Sequence, residues 1–342
     1  MKEKKPSSYT LVRGLDACWD LSRDTRYIVV DWLFRAGKLV PSAVHAALHR
    51  AVNEPDPEER LIRLLLSHRA SPVTNGCQTL IDATATLSAP MFNELLESRV
   101  TSDDASLVFA KAFNRSNSTS WVSERGLNIA TSMLERGAKG EAVGSAFVAV
   151  LKQDTTTPRS ITADFVDLLL RHGADVNHNS GEPLQIAAAC GNAELLARLL
   201  REAPNSDTLT SAFPKIFDAP LTEEKIHELL TLFIEYRNGE SQLNIFFENP
   251  GSDPVIIRAL SRFPRSTKIL GALLDVGFYH EQMVMYKVLD EVEGPESVTL
   301  LMWALLQPQK KISTGIINLL IERGGKCATC WPSQICNSQL DS

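Results

Sequence analysis

The sequence has few cysteines, no long apolar run and no excess of basic residues. Six cysteines in 342 residues are too sparse for a disulfide-stabilised fold, which indicates a reducing compartment. No segment approaches the roughly 20 apolar residues of a membrane span, and the N-terminus lacks the apolar stretch of a signal peptide. Lys and Arg total 35 against 41 Asp and Glu, a net charge of -6 that disfavours nucleic acid as a partner. We therefore predict a cytoplasmic protein, with the nucleus as the alternative, that binds neither membranes nor nucleic acids.

Catalytic motifs are equally scarce. The sequence contains no glycine-rich dinucleotide loop, no phosphate-binding loop and no nucleophile elbow. His227-Glu228 begins like the zinc-binding motif H-E-x-x-H, but Thr231 stands where the second histidine ligand is required. We therefore predict a protein that is not an enzyme and that needs no cofactor.

Three cysteines near the C-terminus have a spacing that suits a metal. Cys327 and Cys330 form a C-x-x-C pair with Cys336 nearby, and two thiolates at this spacing can bind one Zn²⁺ from a turn. A fourth ligand is missing from this part of the sequence. We therefore expect no metal site and predict free thiols, with residues 329–342 forming a disordered C-terminal tail and zinc binding as the alternative.

Helical apolar segments end in a charged or polar break at regular intervals along the chain. The segments end at residues 37, 69, 99, 137, 173, 203, 237, 277 and 324. Their mean spacing is about 36 residues, which is typical of proteins built from stacked structural repeats.

A second signature, Leu-x-x-Ala, occurs between these ends. It begins at residues 48, 80, 107, 184, 209 and 301. In a helix, residues three apart share one face, and the small Ala lets a neighbouring helix approach closely. Each repeat is therefore predicted to be a short inner helix followed by a longer outer helix, with His49 bridging neighbouring turns by hydrogen bonds. Most aromatic residues of the inner helices are predicted to lie in the core, namely Phe109, Phe113, Phe147, Phe213, Phe217, Phe246 and Phe247.

Residues 165–200 carry the strongest family resemblance. Residues 173–177 spell Gly-Ala-Asp-Val-Asn, and residues 182–188 spell Glu-Pro-Leu-Gln-Ile-Ala-Ala. These segments resemble the G-A-D-V-N turn and the T-P-L-H-x-A-A helix start of ankyrin repeats. The short L-F-x-A-G and A-L-x-x-A-V segments further resemble the divergent ankyrin arrays of filamentous fungi.

The resemblance implies an all-α fold, an ankyrin-type α-solenoid of about nine degenerate helix-turn-helix repeats. We assign residues 1–24 to an N-terminal leader and cap, and residues 25–328 to the repeats. Only four residues separate Asn177 from Glu182, where ankyrin repeats usually carry a longer β-hairpin finger. The fingers are therefore expected to be short.

A stack of repeats presents a long surface, which suits a protein partner better than a small substrate. We therefore predict a monomeric protein-interaction module or scaffold that binds a protein partner of unknown identity along its concave face. The alternative is the ligand-sensing repeat portion of a larger nucleotide-driven signalling assembly. The contact residues are expected on the finger turns and the exposed side of the inner helices, namely His178, Asn179, Glu182, Ala189, Cys190, Asp207, Thr208 and Thr210. For Ala189 and Cys190, burial against a neighbouring helix is the alternative.

Overall fold

The computed structural model describes residues 6–113, 121–152, 159–218, 220–237, 254–276, 283–286, 296–307 and 311–325. Within these ranges the predicted all-α fold is confirmed, apart from one short antiparallel pair of strands, β1 (Met283–Tyr286) and β2 (Glu296–Thr299). Met283 pairs with Thr299, and Tyr286 pairs with Glu296. None of the described helices has both the length and the apolar composition needed to cross a bilayer.

The chain divides into two compact units, Met1–His178 and Asn179–Ser342. The helices of the first unit are α1 (Ser8–Ala17), α2 (Arg23–Ala36), α3 (Pro41–Val52), α4 (Glu59–Ser67), α5 (Thr74–Thr86), α6 (Ala89–Glu97), α7 (Ser102–Phe113), α8 (Glu124–Glu135), α9 (Glu141–Leu151) and α10 (Arg159–Arg171). Those of the second unit are α11 (His178–Cys190), which begins at the division, α12 (Ala193–Leu200), α13 (Ser206–Ala212), α14 (Glu223–Arg237), α15 (Val255–Arg262), α16 (Thr267–Val276), α17 (Leu300–Leu306) and α18 (Thr314–Glu322). Short 3-10 helices follow α1 and α13, at Cys18–Asp20 and Phe213–Phe217.

Helices of the first unit contact one another in two alternating series. We call the odd-numbered helices first helices and the even-numbered helices second helices. The first helices α3, α5, α7 and α9 contact one another in succession, and so do the second helices α6, α8 and α10. Each of these first helices also packs on a second helix that follows it. In the second unit, the second helices α12, α14, α16 and α18 contact one another in the same successive way.

The polar breaks of the sequence form the C-caps of second helices. After α4, the amide of Ala70 donates to the carbonyl of Leu65 at 3.0 Å, and after α8 the amide of Ala138 donates to the carbonyl of Met133 at 3.0 Å. This bond across six residues, with a left-handed residue just before the donor, is the Schellman motif. The left-handed residues are Arg69, Gly137, Gly173 and Gly324, at φ 65°, 96°, 79° and 89°. The motif explains why a small or polar residue stands at the ends of the apolar segments that finish at residues 69, 137, 173 and 324.

The Leu-x-x-Ala signature falls on first helices, and five of its six leucines lie in the core. The exposed fraction of these side chains does not exceed 5% for Leu48, Leu80, Leu184, Leu209 and Leu301. The paired alanines of α3, α5 and α11 are equally buried. The signature therefore marks the face that each of these helices turns to the interior.

The sixth leucine corrects the sequence analysis. Leu107 of α7 is 39% exposed, and the buried face of this helix is formed by Ala105, Val108, Phe109 and Phe113. The segment allows two apolar faces, and the face with two phenylalanines removes more apolar surface from water. Leu107 consequently points to solvent.

The predicted burial of the inner-helix aromatic residues is confirmed where the structure describes them. Phe109, Phe113, Phe147, Phe213 and Phe217 are all buried. Phe246 and Phe247 lie outside the described residues, as do Cys327, Cys330, Cys336 and the predicted tail. The zinc alternative therefore stays a prediction.

Two arginines of later helices bind backbone carbonyls at the end of an earlier helix or in the segment that follows it. Arg125 of α8 donates to the carbonyl of Leu87, which follows α5, at 2.7 Å. Arg262 of α15 donates to the carbonyls of Phe217 and Leu221 at 3.1 and 2.7 Å. Helix C-termini leave carbonyl groups without intrahelical partners, and a guanidinium satisfies them and opposes the helix dipole. These bonds hold successive helix pairs in register.

Candidate functional site

At the predicted finger, residues 178–181, the chain forms a tight left-handed turn within the first residues of α11. Asn179, Ser180 and Gly181 have φ values of 50°, 58° and 77°. Within the turn, Nδ2 of Asn179 donates to Oε2 of Glu182 at 2.6 Å. Three consecutive left-handed residues form this turn without a β-hairpin, and the first helical turn of the Glu-Pro-Leu-Gln segment follows directly.

An equivalent turn lies in the first unit. Asn75, Gly76 and Cys77 have φ values of 53°, 65° and 64°. Cys77 lies three residues before Leu80, as Gly181 lies three residues before the buried Leu184 of α11. The two turns therefore occupy the same position relative to the Leu-x-x-Ala signature.

Several predicted contact residues are accessible. Asn179 and Asp207 are exposed, and Glu182 and Thr210 are half-buried. Cys190 is exposed and Ala189 is half-buried, so the burial alternative fails for Cys190.

Two predicted contact residues pack against glycines. The His178 side chain, 13% exposed, belongs to the first unit, where its Nδ1 lies 3.7 Å from Oε2 of Glu141 and its ring lies against Gly144. Thr208 is only 1% exposed, which corrects its assignment as a contact residue. It lies against Gly181, and its amide is held by Oδ1 of Asn205 at 2.8 Å. Because a glycine leaves the space that Thr208 fills, a polar residue is buried where the sequence suggested a surface position.

The first helices α3, α5, α7 and α9 leave an equivalent position exposed or half-buried. This position, two residues before a buried Leu or Phe, is occupied by Ala46, Gln78, Leu107 and Ser145. Ala46, Gln78 and Leu107 are exposed and Ser145 is half-buried. We call these four residues the first-helix face. Because α3, α5, α7 and α9 contact one another in succession, the four positions lie on neighbouring helices.

A polar cluster between α3 and α5 fixes the side chains beside the first-helix face. Nδ1 of His49 lies 3.2 Å from Nδ2 of Asn53 and 3.5 Å from Oγ1 of Thr79, in keeping with the predicted bridging role. Nδ2 of Asn53 also donates to Oδ2 of Asp82 at 3.0 Å, and Nε2 of Gln78 donates to Oδ1 of Asp82 at 2.8 Å. These bonds orient Gln78 before any partner binds.

A buried thiol joins α5 to α7, a contact that the sequence analysis did not predict. Sγ of Cys77 donates to Oδ1 of Asp104 at 3.4 Å, and Thr101 donates its hydroxyl and its amide to the other oxygen. The hydrogen bond from the Thr101 hydroxyl is the main cause that lowers the pKa of Asp104. Burial raises the pKa of Cys77 to about 11, so the thiol stays protonated at neutral pH.

The described residues contain no group of three or more His, Cys, Asp or Glu side chains arranged to hold a metal ion. A shallow polar groove of about 220 Å³ lies between α6 and α8, lined by Asn93, Leu96, Glu97, Ser132, Glu135 and Arg136. It is open to solvent, and its apolar lining is too small to enclose a substrate.

Comparisons with protein-family models, with curated proteins and with solved structures found no match for this chain. The ankyrin resemblance therefore rests on the residues of the sequence itself.

Proposed function

We propose that this chain is a non-enzymatic protein-binding module built from ankyrin-type helix pairs, with the partner lying across the first helices. The observation that carries the proposal is the succession of α3, α5, α7 and α9. Each leaves the same position exposed or half-buried while it buries a Leu or Phe two residues later. A partner crossing these helices meets a regularly spaced row of side chains, which is how repeat proteins recognise other proteins.

Leu107 is the proposed anchor of the first-helix face. It is a large apolar side chain exposed to 39%, in a row that otherwise carries small or polar residues such as Ala46 and Ser145. Asp103 and Lys111, one turn away on either side, are also exposed. An apolar anchor with a polar surround matches the usual anatomy of a protein interface.

In the second unit, Asn179, Asp207 and Cys190 are the exposed residues proposed to contact a partner. The small Ala189 and Cys190 leave room for a partner segment to lie near the backbone of α11. Replacing either with Arg is expected to reduce partner binding without unfolding the protein, which capture and thermal denaturation together measure.

Affinity capture from native cells with the full chain as bait tests the proposal. Leu107→Asp is expected to lose partners that the unaltered chain retains, while its melting temperature stays the same. The matched control is Ile321→Asp, which changes a side chain exposed to 45% on the second helix α18 and should keep the partners. Equal capture by both variants would contradict the proposal. If the captured partner is a nucleotide-binding switch protein, the result supports the signalling-assembly alternative.

A further inference from the structure

Two consecutive second helices place an arginine where other second helices place a glycine. Arg69 and Arg99 are left-handed, at φ 65° and 63°, in the turns after α4 and α6. The same position holds Gly137, Gly173 and Gly324 in the turns after α8, α10 and α18. Glycine adopts this backbone conformation without steric penalty, whereas any residue with a Cβ atom is strained in it. A left-handed residue with a Cβ also follows α12, at Ala203 (φ 53°), but among the described turns only those after α4 and α6 have an arginine as this residue.

Neither guanidinium has a hydrogen bond or an ion pair among the described residues, and both side chains are exposed. Other arginines of the first unit do have partners. Nε of Arg63 in α4 lies 2.9 Å from Oε2 of Glu94, and Arg125 donates to the carbonyl of Leu87. The turn around Arg69, residues 67–73, contains no carboxylate. The strain at Arg69 and Arg99 is therefore not explained by an internal contact.

The two arginines occupy neighbouring turns on one edge of the first unit. Arg63 of α4 and Glu94 of α6 pair side by side, six and five residues before Arg69 and Arg99. The helices are thus in register at their C-terminal ends. Lys38 is exposed in the preceding turn, after α2, and the rings of Phe34 and His68 stack at 3.8 Å to align α2 with α4. Three exposed cations consequently follow one another from turn to turn.

We propose that Arg69 and Arg99, with Lys38, bind an extended acidic segment of a partner protein. Packed helices lie about 8–10 Å apart, and an extended chain advances about 3.3 Å per residue, so neighbouring turns match carboxylates on every third residue. Arginine binds a carboxylate through two parallel hydrogen bonds, which favours this ligand over a neutral one. The inference rests on the proposed role in protein binding but concerns a different edge from the first-helix face.

The test uses the full chain and a fluorescein-labelled synthetic peptide with Glu at every third residue, followed by fluorescence anisotropy at low salt. A peptide of the same composition with its Glu residues contiguous is the spacing control. The double variant Arg69→Gln, Arg99→Gln keeps the backbone strain but loses both charges, and it is expected to bind the spaced peptide about tenfold more weakly. The double Lys variant keeps both charges but loses the paired hydrogen bonds, so its affinity should lie between those of the unaltered chain and the double Gln variant. Arg13→Gln, which changes an exposed arginine on α1, should bind normally.

Equal binding of the two peptides, or unchanged binding by the double Gln variant, would overturn the inference, and so would the absence of any binding by the unaltered chain. Each of these results leaves the proposed function standing if cellular partners are still lost on Leu107→Asp. Loss of peptide binding through unfolding is recognised by circular dichroism. In that case the double Gly variant, which removes strain as well as charge, is measured instead, and normal peptide binding by it would overturn the inference.

Discussion

Gly181 and Thr208 lie so close that a Cβ atom on Gly181 would clash with Cγ2 of Thr208. The contact joins the left-handed turn at the start of α11 to the first turn of α13. It requires both the absence of a side chain and a φ of 77° at position 181. The position of Thr208 in the interior therefore depends on a residue 27 positions earlier in the chain.

Gly181→Ala is expected to destabilise the protein by more than about 2 kcal/mol, because it combines a clash with backbone strain. The matched control is Gly76→Ala in the equivalent turn, where φ is 65° and no atom lies within 4 Å of the added Cβ. That variant should lose only about 1 kcal/mol through strain. Urea denaturation of both variants measures the difference, and equal losses would refute the packing argument.

Leu184→Ala is expected to cost about 2–5 kcal/mol, since it opens a cavity at a side chain that is fully buried. Leu107→Ala should cost less than about 0.5 kcal/mol, because its side chain is largely in solvent. Thermal denaturation of the two variants tests the corrected orientation of α7. If Leu107→Ala destabilised the protein as much as Leu184→Ala, the face predicted from Leu-x-x-Ala would be right after all.

Arg69→Gly should stabilise the protein by about 0.5–1 kcal/mol, because glycine takes the left-handed conformation without strain. Arg201→Gly provides the control, since Arg201 caps α12 with a right-handed φ of -73°. There, glycine only adds freedom to the unfolded chain and should reduce stability. Denaturation midpoints distinguish the two, and a loss of stability at both positions would argue against strain at Arg69.

Cys190 is expected to react with N-ethylmaleimide much faster than Cys18 or Cys77. Cys190 is exposed, whereas burial raises the pKa of both Cys18 and Cys77 to about 11. Peptide mass spectrometry after short labelling identifies the modified residue. Because the folded state keeps these two thiols protonated, their contribution to stability is present below pH 9 and is lost as the pH rises toward 11. Equal labelling of Cys77 and Cys190 at pH 7 would contradict the described burial.

Asp104→Asn should make the free energy of unfolding depend less on pH in the acid range. The native hydrogen bonds from Thr101 lower the pKa of Asp104, so its ionised form stabilises the fold above the unfolded pKa, and this contribution is lost as the pH falls through the lower folded value. Unfolding free energies measured from pH 7 down to about pH 3 should therefore fall less steeply in the variant. Asp103→Asn, which alters the exposed neighbour, should keep the original profile.

Several helix ends could be predicted because they depend on local chemistry. The Schellman turn needs a left-handed residue and a buried residue after it, so Arg136-Gly137-Ala138 and His172-Gly173-Ala174 are readable in the sequence. The orientation of α7 could not be read in the same way, since Leu107 and Phe109 each belong to a possible apolar face. Packing against neighbouring helices decides between such faces, and the sequence pattern does not contain that information.

The surface position predicted for Thr208 was wrong for a related reason. Threonine is usually exposed, and its burial follows from the empty space at Gly181, which lies in another helix. The left-handed turn at residues 75–77 was equally hard to foresee, because Cys77 is not a residue type that favours a positive φ. Side-chain bonds such as Cys77 to Asp104 follow from that turn and were therefore missed as well.

The bonds that join successive helix pairs connect residues close together in the chain. Arg60 and Asp24 are separated by 36 residues, Arg125 and Leu87 by 38, and Arg258 and Asp218 by 40. Each such bond closes only a modest loop, so a helix pair can dock as soon as the pair before it has formed. The protein should consequently fold quickly by sequential addition of pairs, and it should open from the ends of each unit under mild denaturant. Amide hydrogens in α5 and α7 would then exchange more slowly than those in α1, and the opening of one pair need not unfold the rest.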